Sequence, residues 1–309
     1  MNLRAFLKKI ICIALLLAAS VPTFAQQNDF KKKLQDMVKS YPATIGLAIT
    51  NLQNGDTISV NGGLHLPMQS VYKFHLALAI LHQVDEGKIQ LNQQILIKKS
   101  DLKPDTWSPL RDKYPNGGVK IPLAELLSFT VSQSDNNGCD ILFGIAGGPA
   151  RVNAYIHQLG IKEINIAATE NEMHQDWKVQ FTNWTTAGAA ADLLRLFYAK
   201  QLLSKTSQDF LWKIMTDSPS GPQKIKGLLP SGTAVAHKTG YSGADKKGLT
   251  AATNDIGIVS LPNGKHFAIA VFVSMTNADV KASDMMISEL SRAAWDYFTN
   301  ASVSPAAPR

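Results

Sequence analysis

Residues 69–81 read QSVYKFHLALAIL, and this stretch is apolar nearly all the way round a helix. A helix that is hydrophobic on every face belongs in a protein interior, so the stretch predicts a buried central helix. Lys73 nevertheless lies three residues after Ser70, and the two side chains project from one helical face. Burying an ammonium group is costly unless it is paired or deprotonated. A lysine embedded beside a serine is therefore a candidate activator of a nucleophile.

A Ser-x-x-Lys pattern alone is weak evidence, because a chain of this length contains about one by chance. The sequence holds a second copy, Ser100 and Lys103, within a polar stretch. We interpret that copy as solvated surface. For Ser70 and Lys73 the start of a helix adds support, since free N–H groups there can bind an oxyanion.

Two further short motifs follow in the chain. Ser134-Asp135-Asn136 lies between two helical patterns, where each of the three residue types also makes a good helix cap. Lys238-Thr239-Gly240 ends a strand pattern, where an exposed strand end with a glycine turn is the ordinary interpretation. Taken singly, each motif favours the structural role over the chemical one.

Taken together and in this order, the three motifs resemble the signature of class A serine β-lactamases and penicillin-binding proteins. The resemblance to a class A β-lactamase extends over essentially the whole chain after residue 25. The extended-spectrum PER/VEB branch is the most similar, on the segments PMQSVYKF, TWSPL, VSQSDNNGCD, ENEMHQDW and HKTGYSG.

The order of the predicted elements gives an α/β fold. Strand patterns occur near both ends of the chain and helical patterns lie between them. The economical arrangement is an antiparallel sheet flanked by terminal helices, with an all-helical domain inserted. We assign residues 26–66 and 217–303 to the α/β domain and 67–216 to the all-α domain. The resemblance implies the same fold, that of serine β-lactamases and penicillin-binding proteins.

The N-terminus has the pattern of a cleaved signal peptide, residues 1–25. Arg4, Lys8 and Lys9 precede an apolar core over 10–19, and the small-residue site 23–25 follows. The apolar run is too short to cross a bilayer. We therefore expect export to the periplasm and no membrane attachment after cleavage. The tail, residues 304–309, is expected to be disordered.

Composition excludes several classes of function. Removing the leader leaves 28 basic and 24 acidic residues, a net charge of +4, which gives no reason to expect nucleic-acid binding. Cys139 is then the sole cysteine, and no His-Glu-x-x-His motif is present. We expect no metal and no cofactor. The expected partners are small β-lactam molecules, and the expected state is a monomer.

The resemblance implies a role for each matching residue. Ser70 attacks the lactam carbonyl, and its proton passes to Lys73, or to Glu170 through a water molecule; both assignments stay open. Ser134 relays a proton to the leaving nitrogen with support from Lys238. The oxyanion hole is implied to use the backbone N–H groups of Ser70 and Tyr241. The residues implied to contact the substrate are Trp107, Asn136, His174, Lys224, Thr239 and Ser242.

The reaction depends on a carboxylate in ATENEMHQDW. The family spacing places the deacylation base at Glu170, with Glu172 as the competitor. Without that base the chain would be a DD-peptidase or a penicillin-sensing protein that stays acylated. The Arg–Asp bridge usual in this loop is replaced by Ala168 and Asn183. We therefore expect a loosened 168–183 loop and hydrolysis of bulky oxyimino-cephalosporins.

Overall fold

The computed structural model describes residues 24–300. The predicted leader, apart from its last two residues, and the predicted disordered tail lie outside this range. The helices are α1 (Phe24–Ser40), α2 (Tyr72–Asp85), α3 (Pro109–Lys113), α4 (Leu123–Ser132), α5 (Asn136–Ala146), α6 (Pro149–Gln158), α7 (Glu170–Gln175), α8 (Ala187–Tyr198), α9 (Lys205–Thr216) and α10 (Val280–Asn300). The strands are β1 (Thr44–Asn51), β2 (Thr57–Val60), β3 (Leu66–Pro67), β4 (Gln94–Ile97), β5 (Val119–Pro122), β6 (Ile164–Asn165), β7 (Trp184–Thr185), β8 (Val235–Tyr241), β9 (Thr250–Ser260) and β10 (His266–Thr276).

Strands from both ends of the chain build one five-stranded antiparallel sheet. Its order is β2-β1-β10-β9-β8, so the N-terminal hairpin pairs with the C-terminal strands. The register sets Thr44 opposite Ser274 and Thr239 opposite Asp255. β8 is one of the two edge strands, so its outer side is not paired with another strand of the sheet. This is the α/β architecture that the order of the predicted elements indicated.

The sheet is covered on both faces, which explains why β10 is an almost continuous apolar run. Side chains of a strand alternate between faces. Ile269 and Val271 pack with the terminal helices α1 and α10, whereas Ala270 and Phe272 join the core of the helical region. One strand therefore contributes to two hydrophobic cores.

The central helix α2 is buried as the sequence predicted. Every residue from Tyr72 to Leu81 is buried, including Lys73. The helical region is less uniform than predicted, because it also contains two small sheets, β4-β5 and β3-β7-β6. These short strands lack the length that makes a period-2 pattern readable. The division of the chain at 66/67 and 216/217 stays a proposal; its first boundary falls inside β3.

Between residues 24 and 300, no helix combines the length and the apolar character needed to cross a bilayer.

Candidate active site

Ser70 lies in a strained turn at the start of the buried helix. A 3-10 helix, Gln69–Val71, leads directly into α2. Gln69 has a φ of +48°, a left-handed conformation that costs a residue with a side chain on the order of 1–2 kcal/mol. The turn packs against β8 at Gly240, where an added Cβ would lie 2.5 Å from the Met68 carbonyl oxygen. Glycine at 240 is therefore required for the close approach of the strand to the nucleophile.

Lys73 is fully buried and joins the predicted catalytic groups. Its Nζ donates to Ser70 Oγ at 2.9 Å, to the Ser134 carbonyl at 2.8 Å and to Asn136 Oδ1 at 2.5 Å. The same Nζ lies 2.9 Å from Glu170 Oε1, with side chains 0% and 10% exposed. Burial of this ammonium is thus compensated by acceptors from three segments of the chain. The partners predicted from sequence spacing are in contact.

Lys238 and Ser134 form the second hydrogen-bonded pair of the site. Lys238 Nζ donates to Ser134 Oγ at 2.9 Å and to the Thr239 carbonyl at 2.9 Å. Complete burial and the positive charge of Lys73 lower the pKa of Lys238 to about 7, while the Asp255 carboxylate opposes the shift. Ser134 has a φ of +60°, so the motif turns sharply before α5. Lys238 thereby contacts the Ser134 hydroxyl, whereas Lys73 contacts the Ser134 carbonyl.

The two carboxylates of α7 have different environments. Glu170 Oε1 faces Lys73 and lies 3.4 Å from Ser70 Oγ. Glu172 instead forms a capping box: its Oε2 accepts from the Thr169 backbone N–H and hydroxyl, both at 2.8 Å. These hydrogen bonds lower the pKa of Glu172. Glu170 is therefore the carboxylate directed at the nucleophile, and Glu172 stabilises the start of its helix.

Asp140 holds the backbone of Glu170. Its two carboxylate oxygens accept from the N–H groups of Glu170 and Asn171 at 2.8 and 2.9 Å. Burial, with a further contribution from the Glu170 charge, raises the pKa of Asp140 to about 6. Sequence reasoning missed this residue. The available signal was its spacing, four residues after Asn136 and hence on the same face of α5.

The other residues of the Ser134-Asp135-Asn136 motif organise the cleft wall. Asp135 caps α5 by accepting from Gly138 N–H at 2.7 Å, which is the helix-cap role that the sequence favoured for this motif. The Asn136 amide donates to Thr106 Oγ1 at 2.7 Å, and its backbone N–H donates to the Trp107 carbonyl at 3.0 Å. Trp107 is 63% exposed, and its indole N–H donates to the Gln133 carbonyl at 2.8 Å. Asn136 thus connects Lys73 to the segment that carries Thr106 and Trp107.

The edge of β8 provides the opposite wall. Thr239 is buried and Tyr241 is 45% exposed at the end of the strand. The Ser242 hydroxyl, which was predicted to bind the substrate carboxylate, makes hydrogen bonds within the protein. It donates to the Gly243 carbonyl at 2.7 Å and accepts from Ala252 N–H at 3.1 Å. Its hydrogen is therefore used locally, and its contact with a substrate stays a prediction.

Lys224 lies beside Thr239 but is paired elsewhere. An added Cβ at Gly221 would lie 2.7 Å from the Thr239 methyl group and 2.9 Å from Lys224 Cδ, which places the two side chains together. The Lys224 ammonium forms an ion pair with Asp284, with side chains 7% and 14% exposed. Its predicted role as a ligand for the substrate carboxylate therefore competes with this pair.

His174 lies on the rim of a cavity of about 140 Å³ next to the site. The cavity is lined by Glu170, Asp140 and Asn136 among other residues, and His174 is exposed at the end of α7. Among the described residues, no hydrogen bond or ion pair joins the imidazole to Glu170, and a water-holding role for His174 stays a prediction. Within residues 24–300, no cluster of three or more His, Cys, Asp or Glu side chains is placed to hold a metal ion.

The 168–183 loop is closed by an amide in place of the usual ion pair. Asn183 Oδ1 accepts from the N–H groups of Ala167 and Ala168 at 2.7 and 2.9 Å, and its Nδ2 donates to the Ala168 carbonyl at 2.8 Å. Asn183 is fully buried. These bonds hold the ends of the loop together where the usual ion pair is missing, and the wider cleft expected from its loss stays a prediction. Neutral hydrogen bonds replace the missing bridge, because an amide carries both a donor and an acceptor.

Comparisons with known proteins agree with this geometry. A model described as the beta-lactamase enzyme family matches residues 29–298. The extended-spectrum β-lactamase PER-1 of Pseudomonas aeruginosa is 40% identical over 298 residues, 96% of each chain. β-Lactamase VEB-1 of the same organism is 41% identical over 296 residues, covering 95% of this chain and 98% of that one.

A solved structure titled TLA-3 extended-spectrum β-lactamase superposes with a TM-score of 0.87 at 50% identity, covering 88% of this chain and 99% of that chain. The resemblance and the fold predicted from the sequence are confirmed. The chain belongs to the class A serine β-lactamase family.

Proposed function

We propose that this protein hydrolyses the lactam amide of penicillins and cephalosporins through an acyl-enzyme on Ser70, which a water activated by Glu170 then releases. The observation that carries the proposal is the position of Lys73 Nζ, 2.9 Å from both Ser70 Oγ and Glu170 Oε1. One buried ammonium thereby connects a nucleophile to a carboxylate base, the arrangement that acylation followed by hydrolysis needs.

The geometry suits a proton path through Lys73 during acylation. As an ammonium, Lys73 donates to Ser70 and cannot accept its proton. Transfer of one proton to Glu170, 2.9 Å away, turns the lysine into a base for Ser70. The 3.4 Å from Ser70 Oγ to Glu170 Oε1 is longer than an ordinary O–H···O hydrogen bond, so direct transfer is less suited than a path through Lys73 or a water.

Collapse of the tetrahedral intermediate needs a proton at the lactam nitrogen. Ser134 is the donor, since its hydroxyl accepts from Lys238 and lies beside the Lys73 cluster. The intermediate's oxyanion accepts from the backbone N–H groups of Ser70 and Tyr241. Such a donor commonly contributes about 3–4 kcal/mol to transition-state stabilisation. Thr239 and Lys238 bind the substrate carboxylate, and Asn136 and Trp107 contact the acylamino side chain.

Glu170 distinguishes a hydrolase from the alternatives, a DD-peptidase or a penicillin-sensing protein that stays acylated. Its contact with Lys73 supports rapid deacylation. Turnover of a chromogenic cephalosporin by the purified protein tests this choice. Continuous hydrolysis without added metal supports the proposal, and a single stoichiometric burst would assign the chain to the slowly deacylating class.

The substrate range and compartment are also proposed. PER-1 and TLA-3 are titled extended-spectrum enzymes, which supports activity on oxyimino-cephalosporins here. From its leader pattern, we place the mature protein in the periplasm. We expect it to be a monomer. The catalytic efficiency for an oxyimino-cephalosporin, compared with a small-chain cephalosporin, tests the range. A ratio below about one in a thousand, some 4 kcal/mol of discrimination, would contradict it.

A further inference from the structure

A buried bond between two amides joins the nucleophile turn to the loop that carries Glu170. Gln69 Nε2 donates to Gln180 Oε1 at 2.6 Å, across 111 positions of sequence. Gln180 lies in the 3-10 helix Val179–Thr182, near the end of the loop, and its Nε2 donates to the Trp177 carbonyl at 2.7 Å. The two glutamines are 8% and 5% exposed. Because both side chains are buried, loss of either amide leaves a buried polar group without its hydrogen-bond partner.

One partner of this hydrogen bond, Gln69, is adjacent to the nucleophile Ser70, and the other, Gln180, belongs to the 168–183 loop. Gln69 precedes Ser70 and has the left-handed φ of +48°. Its neighbour Met68 is fixed as well, through its N–H to the Asn183 carbonyl at 2.9 Å and its carbonyl to Asn254 Nδ2 at 3.1 Å. A strained conformation persists only where its surroundings determine it fully. Gln180 is part of those surroundings.

We propose that Gln180 is a positioning residue for deacylation: its bond to Gln69 sets the place of the Glu170 loop relative to the Ser70 ester. This inference rests on the proposed function. Ser70 and Lys73 lie in one continuous helical segment, so they keep their contact when the loop shifts, and acylation uses Glu170 only as a proton acceptor that a water can reach. Glu170 is on a separate segment, and deacylation needs its carboxylate at a fixed distance from the ester carbonyl.

The experiment uses Gln180→Met, which keeps length and flexibility and removes the amide. Rate constants of acylation and deacylation come from rapid-mixing kinetics, with the adduct fraction read by intact-mass spectrometry. We expect deacylation to fall about tenfold, acylation to change less than about threefold, and the acylated fraction at steady state to rise. Gln69→Met should reproduce this result, and the double variant should be no slower than either single one, because both changes break the same bond.

Gln208→Met is the matched control. Gln208 is also a buried glutamine, in α9, with its Nε2 donating to the Phe197 carbonyl at 2.8 Å. Its loss should leave the ratio of the two rate constants unchanged, whatever it does to the melting temperature. A merely structural role for Gln180 would lower the active fraction and reduce both steps together.

Equal losses in the two steps, no loss in either, or additive losses in the double variant would overturn the inference. If Gln180→Met fails to fold, Gln69→Met decides alone by the same ratio. The proposed function fails separately, by absence of turnover in the unaltered protein. Turnover together with an unchanged ratio in Gln180→Met would overturn only the role of Gln180.

Discussion

Two segments of this protein carry the same Ser-x-x-Lys pattern, and only one of them is embedded in a site. At Ser70 and Lys73 the lysine is completely buried and reaches acceptors from three segments. At Ser100 and Lys103 both residues are exposed, and the Ser100 hydroxyl faces only the neighbouring Asp101 at 3.4 Å. The serine and lysine side chains are identical in the two places.

The difference teaches that surroundings turn this pair into a reactive one. An exposed ammonium is fully solvated, and water competes for every hydrogen bond that it makes. In the buried copy the ammonium has exchanged water for Glu170, Asn136 and Ser134. Interactions in such a low-dielectric place are stronger, so a proton can be moved between neighbours by a small rearrangement.

The largest expected effect comes from changing the two serines. Ser70→Ala should reduce hydrolysis of a chromogenic cephalosporin by roughly a thousandfold or more, because the nucleophile is lost. Ser100→Ala should leave kcat/KM within about twofold, since that hydroxyl contacts solvent and one carboxylate. Steady-state kinetics with circular dichroism as a folding check measure both. Full activity in Ser70→Ala would break the comparison.

The second-largest effect is expected from the two glutamates of α7, Glu170 and Glu172. Glu170→Gln keeps size and removes the basic carboxylate, so turnover should fall at least about a hundredfold while a covalent adduct of one opened lactam accumulates. Glu172→Gln loses charge in a capping box and should cost stability, not deacylation. Intact-mass spectrometry after mixing with substrate detects the adduct. Trapping by Glu172→Gln instead would show that the deacylation base had been assigned to the wrong carboxylate.

A pH profile tests whether burial lowers the pKa of Lys238. Lys238 carries its charge below its pKa of about 7 and loses it above. The kcat/KM for the free enzyme should therefore decline, about tenfold per pH unit at the limit, as pH rises past that value. Lys238→Arg keeps its charge throughout and should flatten this alkaline limb, even with a lower maximum. An identical limb in Lys238→Arg would assign the titration to another group.

Lys224 gives the smallest effect. Because its ammonium is already paired with Asp284, Lys224→Met should change KM for penicillins by less than about fivefold. Asp284→Asn should lower KM by a similarly small factor, since it frees the lysine for the substrate carboxylate. Steady-state KM values for the two variants measure both effects. A loss of more than about thirtyfold in Lys224→Met would show that the lysine leaves Asp284 to bind substrate.

Local pattern was sufficient for the main elements. The apolar run after Ser70 predicted the buried helix, and the short apolar run of β10 predicted a sheet strand. The three motifs predicted the catalytic group, since each has fixed short spacing.

Local pattern failed where partners lie far apart in the chain. No short sequence motif marks the Lys224–Asp284 ion pair or the hydrogen bonds from Asn183 to Ala168. The hydrogen bonds of the Ser242 hydroxyl with Gly243 and Ala252 have no such motif either. Such contacts depend on which segments the fold brings together.

The sequence by itself determined the family and the sheet built from both ends of the chain, and it predicted Ser70, Lys73, Ser134 and Lys238 as catalytic, with Glu170 favoured over Glu172 as the base. The tertiary structure decided which of two neighbouring carboxylates faces the nucleophile, since Thr169 captures Glu172 and leaves Glu170 to Lys73. It also decided that Gln69 meets Gln180. Hydrophobic periodicity and short motifs act over one or two turns of chain, whereas the contacts that orient a site are made by residues on the order of a hundred positions apart.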